Sequence, residues 1–205
     1  MAELDRTVTE AERRRGAQGV MQARLDVSRL GVLRDSFADL AVLRPLAVPE
    51  GVASTDVALT RAALQAQAAE QLSKLASNLQ QIAQKRAEAQ SVEAAIAKID
   101  ATLPFLQETA DIRRNAKEIQ YGNQIAFIDA QSRLIDQQSE RVVQTRRLVE
   151  VEVARLALEQ QLAQTRSGFE RQVLSDLTEA EELTQDLVKA ERKIAEQVLR
   201  APIDG

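Results

Sequence analysis

Apolar residues recur along this chain at intervals of three and four, the spacing that places them on one face of a helix. In the first stretch Val20, Ala23, Val27, Leu30, Leu33, Phe37 and Leu40 form one such stripe, which predicts a helix over most of residues 1–44. Gly16, Gly19 and Gly31 each weaken it by ~1 kcal/mol relative to alanine, so tertiary packing has to hold it. Pro45 and Pro49 then stop the pattern, because proline lacks the amide donor and restricts the residue before it. Residues 45–55 read as an ordered connector, with Ser54 or Thr55 as the N-cap of the next helix and Asp56 facing its positive dipole end.

The second helix is expected over residues 56–119. Leu72, Leu75, Leu79, Ile82, Arg86 and Ala89 alternate by three and four, and Val92, Ile96, Ile99, Leu103, Leu106 and Ala110 resume after a three-residue step. That is a heptad seam with one stammer. Pro104 should kink or interrupt this helix at the carbonyl of Asp100. The third helix is expected over residues 125–199. There Ile128, Ile135, Val142, Val149, Leu156 and Ala163 repeat every seventh position, and Val173, Ala180, Leu187 and Ile194 do so in a shifted register. Only Gln120, Tyr121, Gly122, Asn123 and Gln124 between them have turn chemistry. A hairpin turning at Tyr121 sets Ile99 opposite Val143, Leu79 opposite Ala163, Leu64 near Leu177 and Leu59 opposite Leu183. At ~1.5 Å per residue each arm spans on the order of 90 to 110 Å. The expected fold is all-α: an elongated three-helix domain dominated by a long antiparallel coiled-coil hairpin, with the first helix packed along the arm away from the turn.

Composition sharpens this picture. Among 205 residues only 2% are aromatic, with one Tyr, four Phe and no Trp, too few large rings for an ordinary layered core. Cys and His are absent, which removes disulfides, thiol nucleophiles, imidazole bases and the usual zinc ligands. The formal net charge of -4 argues against nucleic acid. Arg13, Arg14 and Arg15 follow Glu10 and Glu12 on a helix without stacking aromatics, and read as a solvated face. Glu179, Glu181, Glu182 and Asp186 are more simply helix surface than a metal site. Ser132, Ser139 and Ser167 lack a base, and no Gly-rich phosphate cradle is present. No enzyme, cofactor or small-molecule substrate is therefore expected. The longest apolar stretches are only a few residues, too short for a membrane span or a signal peptide core.

The candidate chemistry lies at the turn. Tyr121 is either an exposed partner anchor or a ring folded back on the last helical turn. Gly122 is expected to supply a positive φ. Gln120, Asn123 and Gln124 offer neutral donors and acceptors to a partner, or satisfy the helix ends. Arg113, Arg114 and Lys117 form a basic cluster that could meet acidic groups on a partner or pair with Asp111 and Glu118. Gly168, beside Phe169, is either a bend or a close-packing point for the first helix, and packing is the preferred reading. After Leu199 the chain changes character: Pro202-Ile203-Asp204-Gly205 is turn chemistry leading into a strand, so a β domain is expected to flank the helices.

Arg200-Ala201-Pro202-Ile203-Asp204-Gly205 resembles the Arg-Ala-Pro-apolar-x-Gly signature with which membrane fusion proteins of the HlyD family re-enter their lipoyl-like β domain. Gln22-Ala23-Arg24-Leu25, Leu103-Pro104-Phe105-Leu106 and the Glu-Gln-Gln-Leu run ending at Leu162 are similar to segments of that family in the same order. The resemblance covers essentially the whole chain, with Arg200, Ala201, Pro202 and Gly205 as its domain-junction motif and residues 200–205 as the start of the β domain. It implies a periplasmic adaptor of type I protein secretion whose full-length parent is anchored in the inner membrane of a Gram-negative bacterium. Such an adaptor self-oligomerises around an inner-membrane ABC transporter and docks its hairpin tip, residues 120–124, on a TolC-like outer-membrane channel. The family's tip pattern of Arg, then Leu, then Ser or Thr is absent, since Arg114 is followed at those offsets by Glu118 and Ile125. The heptads alone also suit a structural coiled-coil scaffold that dimerises and spaces two partners.

Overall fold

The computed structural model describes the backbone of residues 2–199 and the side chains of residues 14–193. Three helices follow one another: α1 at Ala2–Asp35, α2 at Ser54–Glu118 and α3 at Gln124–Leu199. No strand occurs among the described residues, and none of these helices is long and apolar enough to cross a membrane. The expected all-α hairpin with a preceding helix is borne out. The chain divides into two compact units, one made of residues 1–76 and the chain from Gln164 onward, the other of Ser77–Ala163.

The first unit is a three-helix packing. Leu30, Val32 and Leu33 of α1 meet Leu64 and Ala68 of α2 and Val173, Leu177 and Ala180 of α3 in one buried cluster, which Leu40 completes from beyond the end of α1. Phe37 and Phe169 close it with an edge-to-face ring pair, centroids 6.1 Å apart, the geometry the ring quadrupole favours. The helix expected to run through residue 44 ends at Asp35. The amides of Ser36, Phe37 and Asp39 bond the carbonyls three residues back at 3.1, 3.4 and 3.0 Å, and the carboxylate of Asp39 accepts from the amide of Ala41 at 3.0 Å. This local capture competes with the helix and turns the chain so that Leu40 reaches the core. The connector is tied back where Ser28 Oγ donates to the Ala47 carbonyl at 2.6 Å, while Arg29 Nη1 of α1 donates to Gln67 Oε1 of α2 at 2.7 Å. Gly51, at φ 82°, takes the left-handed turn of this connector beneath Met21. Ala53 is the N-cap of α2, its carbonyl accepting from Val57 at 3.2 Å. Ser54 and Thr55 are therefore in the first turn, not at the cap.

Gly168 has nothing within 4 Å of where its Cβ would stand. It is not the packing point expected for α1; the neighbouring Phe169 packs against the buried cluster, with its ring against Phe37 just beyond the end of α1.

The second unit is a two-helix hairpin. Its α2 seam runs through Asn78, Ile82, Ala89, Val92, Ile99 and Ala110, all buried, and continues the steps of four and three that Gln71 and Leu75 begin. The expected stammer does not exist. N-terminal to Ala89 the seam keeps Leu75 and Ile82 of the expected string but takes Asn78 in place of Leu79 and Lys85 in place of Arg86. An unbroken heptad keeps one face toward α3, and burial of two amide side chains, Gln71 and Asn78, is accepted to preserve it. Gln71 Nε2 donates to the Thr165 carbonyl at 3.3 Å in the first unit.

On α3 the correction is larger. Ala130, Leu134 and Val151 are buried, whereas Ile128, Ile135, Val142, Val149 and Leu156 are all exposed. The shifted string of Val173 and Ala180 is buried as expected. Pairing along the axis matches the hairpin: Arg141 bonds Asp100, Arg147 approaches Glu88 at 3.4 Å, and Arg86 meets Glu159 at 3.1 Å. Leu64 and Leu177 share a cluster, but Leu59, Leu79, Val143 and Leu183 point outward, so the expected partners have the right level and the wrong face. Pro104 does not interrupt α2. It is exposed, so the carbonyl it deprives of a donor lies on the outer side.

Candidate functional site at the hairpin turn

Helix α2 ends in a Schellman motif. The Tyr121 amide bonds the Ala116 carbonyl at 3.0 Å and the Gln120 amide bonds the Lys117 carbonyl at 3.1 Å, satisfying two carbonyls that the helix end would orphan. The motif needs a left-handed residue between them, and that residue is Gln120 at φ 61°. The expectation that Gly122 supplies the positive φ is thus overturned. Gly122 has another reason to be glycine: a Cβ there would lie 2.6 Å from the amide nitrogen of Lys117 and 2.7 Å from the carbonyl carbon of Ala116. The returning chain crosses the end of α2 so closely that only a hydrogen fits.

Asn123 starts the descending helix. Its Oδ1 accepts from the Ile125 amide at 2.8 Å and its carbonyl accepts from Phe127 at 3.2 Å, an N-cap with its side chain committed. Lys117 Nζ stands 5.0 Å from the centre of the Phe127 ring, a cation–π contact that ties the two helix ends together. Arg114 pairs with Asp111 at 3.3 Å, so the basic cluster is partly neutralised within its own helix. Arg113 and Gln124 are exposed.

The turn leaves an apolar surface. Tyr121 is 90% exposed and Ile125 74%, with Ile119 also outward. The ring of Tyr121 does not fold back on α2. Sequence reading singled out Tyr121 but passed over Ile119 and Ile125, whose signal is that they flank the turn outside the seam positions. No group of three or more acidic side chains arranged to hold a metal occurs among the described residues. The junction motif Arg200, Ala201, Pro202 and Gly205 lies outside the described residues.

No family model matches the chain, and no curated protein matches it either. Among solved structures, the soluble domain of LipC, a membrane fusion protein of a type I secretion system, superposes with a TM-score of 0.77 at 14% identity. The match covers 96% of this chain and 95% of that one. At this identity the likeness is one of fold. The resemblance to membrane fusion proteins read from the sequence is borne out at that level.

Proposed function

We propose that this chain is the helical hairpin portion of a periplasmic adaptor in type I protein secretion. Its parent is anchored in the inner membrane beside an ABC exporter, and residues 120–124 engage an outer-membrane channel of TolC type. The observation that carries the reading is the fold, shared over nearly the whole length with the soluble domain of a membrane fusion protein. The adaptor transmits position and contact, and transport energy comes from the exporter.

The turn supports the docking part of the proposal. Its backbone is held by the Schellman bonds and the Asn123 cap, so little ordering entropy remains to be lost on binding. Its outward residues are Ile119, Tyr121 and Ile125, and aromatic anchors dominate many interfaces. The missing Arg-Leu-Ser pattern is replaced by an apolar contact in this scheme, with Arg113 and Arg114 at its rim, where charge steers approach more than it adds affinity.

Since the chain has no Cys, single Cys substitutions test this. Gln124→Cys at the turn and Ser91→Cys on the arm are each placed in the parent and treated with a bismaleimide in cells that carry the exporter and the channel. Cross-linking to the channel from position 124 and not from 91 is expected. Cross-linking from neither, with the adaptor folded and expressed, would overturn tip docking and favour a coiled-coil scaffold, a reading for which the exposed apolar row on α3 is the specific support.

A further inference from the structure

The connector between α1 and α2 is fastened to α1 at two places of different chemistry. At Ala47 the tie is polar, the 2.6 Å hydrogen bond from Ser28. At Gly51 it is apolar. A Cβ on this left-handed glycine would lie 3.0 Å from Met21 Cε, so the methionine methyl packs against a bare α-carbon. Met21 is half-buried and lines an open cavity of about 740 Å³. The fully buried Leu25 belongs to the apolar lining, and the exposed side chains of Arg14, Gln18 and Gln22 to the polar part. Composition concentrates oxidative chemistry on this side chain. The protein has no Cys, no His and no Trp, and only two Met, of which Met1 lies outside the described residues.

We propose that Met21 is a site of reversible oxidation by peroxides, and that its sulfoxide releases the connector from α1. A sulfur lone pair attacks one oxygen of hydrogen peroxide, and the S–O bond forms as the O–O bond breaks. The proton of the transferred oxygen passes to the departing hydroxide, which leaves as water; sulfur is oxidised and the peroxide reduced. The product carries a polar oxygen on the atom next to the packed methyl, so a side-chain end that favoured an apolar contact now loses free energy there. Methionine has three rotatable bonds and can swing into the cavity. Donors wait there in the Gln18 and Gln22 amides and the Arg14 guanidinium, whereas the carboxylate of Asp56, which also lines the cavity, only accepts. The connector is then held from the Ser28 end. Ala53, the N-cap of α2, lies two residues beyond Gly51 and brings no capping side chain, so the loosening reaches the first turn of α2. The inference stands on the first unit alone and needs nothing from the adaptor reading.

The full 205-residue chain is treated with hydrogen peroxide, the sulfoxide is located by peptide mass spectrometry, and backbone amide exchange is followed by the same method. Met21 is expected to oxidise within about tenfold of the rate of free methionine. Exchange in residues 48–57 should rise several-fold, while that of the second unit, Ser77–Ala163, stays unchanged. Methionine sulfoxide reductases should restore the original exchange. Met21→Leu keeps an apolar contact of similar volume and should make residues 48–57 indifferent to peroxide. Met21→Gln, polar and of similar length, should reproduce the loosening without it. Circular dichroism checks that each variant is folded. Four results would overturn the inference: no sulfoxide at Met21 under conditions that oxidise the free amino acid; sulfoxide with unchanged exchange; slower exchange, which means that the new oxygen caps the connector's own amides; or the same response to peroxide in Met21→Leu, which means that another residue carries it.

Discussion

The two units solve one problem with different means. In the first, α1 lies against both hairpin helices, so Leu33 and Val173 reach 0% exposure and aromatic rings close the packing. In the second only two helices are present. Their contact is a single seam, and its apolar cluster near the turn consists of Ala110, Ala130 and Leu134 with Leu103 and Leu106 against it. A two-stranded seam buries two positions per heptad, so the third apolar position, the row of Ile135, Val142 and Val149, is left outside. The number of helices around an axis, more than the hydrophobicity of any residue, decides which apolar side chains become core.

The sharpest way to break that comparison is a pair of truncations. Leu33→Ala in the first unit should cost about 2–5 kcal/mol, the range for a fully buried leucine. Val149→Ala on the exposed row should stay within ~0.5 kcal/mol. Urea unfolding of both variants checks this, and a large loss at Val149 in a dilute sample would show that the row is core after all.

A smaller effect is expected at the turn that limits the second unit. Gly122→Ala forces a methyl against the backbone of α2 and should destabilise by about 2 kcal/mol, read as faster amide exchange in the last turn of α2. Removing the Asn123 cap with Asn123→Ala should cost about 1 kcal/mol. Gln120→Gly should act in the opposite direction, raising stability by roughly 0.5–1 kcal/mol, because glycine adopts the left-handed conformation without a Cβ penalty.

The smallest expected effect is electrostatic and is clearest in the second unit, although Lys74 also lowers the Glu70 carboxyl of the first. Bonding to Lys85, and then to Arg147, holds the Glu88 carboxyl below its ordinary range, and bonding to Arg86 does the same for Glu159. Asp100 raises the already basic Arg141. Carboxylates with depressed folded-state values stabilise the fold at neutral pH, and that contribution is lost as pH falls through the carboxylate range. The groups are exposed, so the loss is slight and salt reduces it. Thermal melts of wild type and Glu88→Gln between neutral and acidic pH should converge at the acidic end. Equal pH dependence in both would remove Glu88 from this account.

Much of this was legible from the chain. The prolines and the Gln120–Gln124 break set three helices and one turn, and the level of each cross-hairpin pair followed from the turn, as Asp100 with Arg141 shows. The faces were not legible. On α2 Leu79 competed with the polar Asn78 for one seam position, and hydropathy favours the wrong one; Leu72 packs against the first unit's core as expected, beside the buried Gln71. At the turn Tyr121 stood out by composition, but the left-handed residue was read as Gly122 because glycine is the usual occupant, and Ile119 and Ile125 passed as helix interior.

Sequence by itself determined the order of the three helices and where the chain reverses, because periodicity, proline and turn residues act over a few neighbours and need no partner. The tertiary structure alone decided which apolar row each helix buries, since two adjacent rows on one helix differ little in hydrophobicity and only the facing helix, with its own unbroken heptad, selects between them. It likewise decided the role of Gly122, because a steric limit set by the returning backbone is invisible until the two helix ends meet.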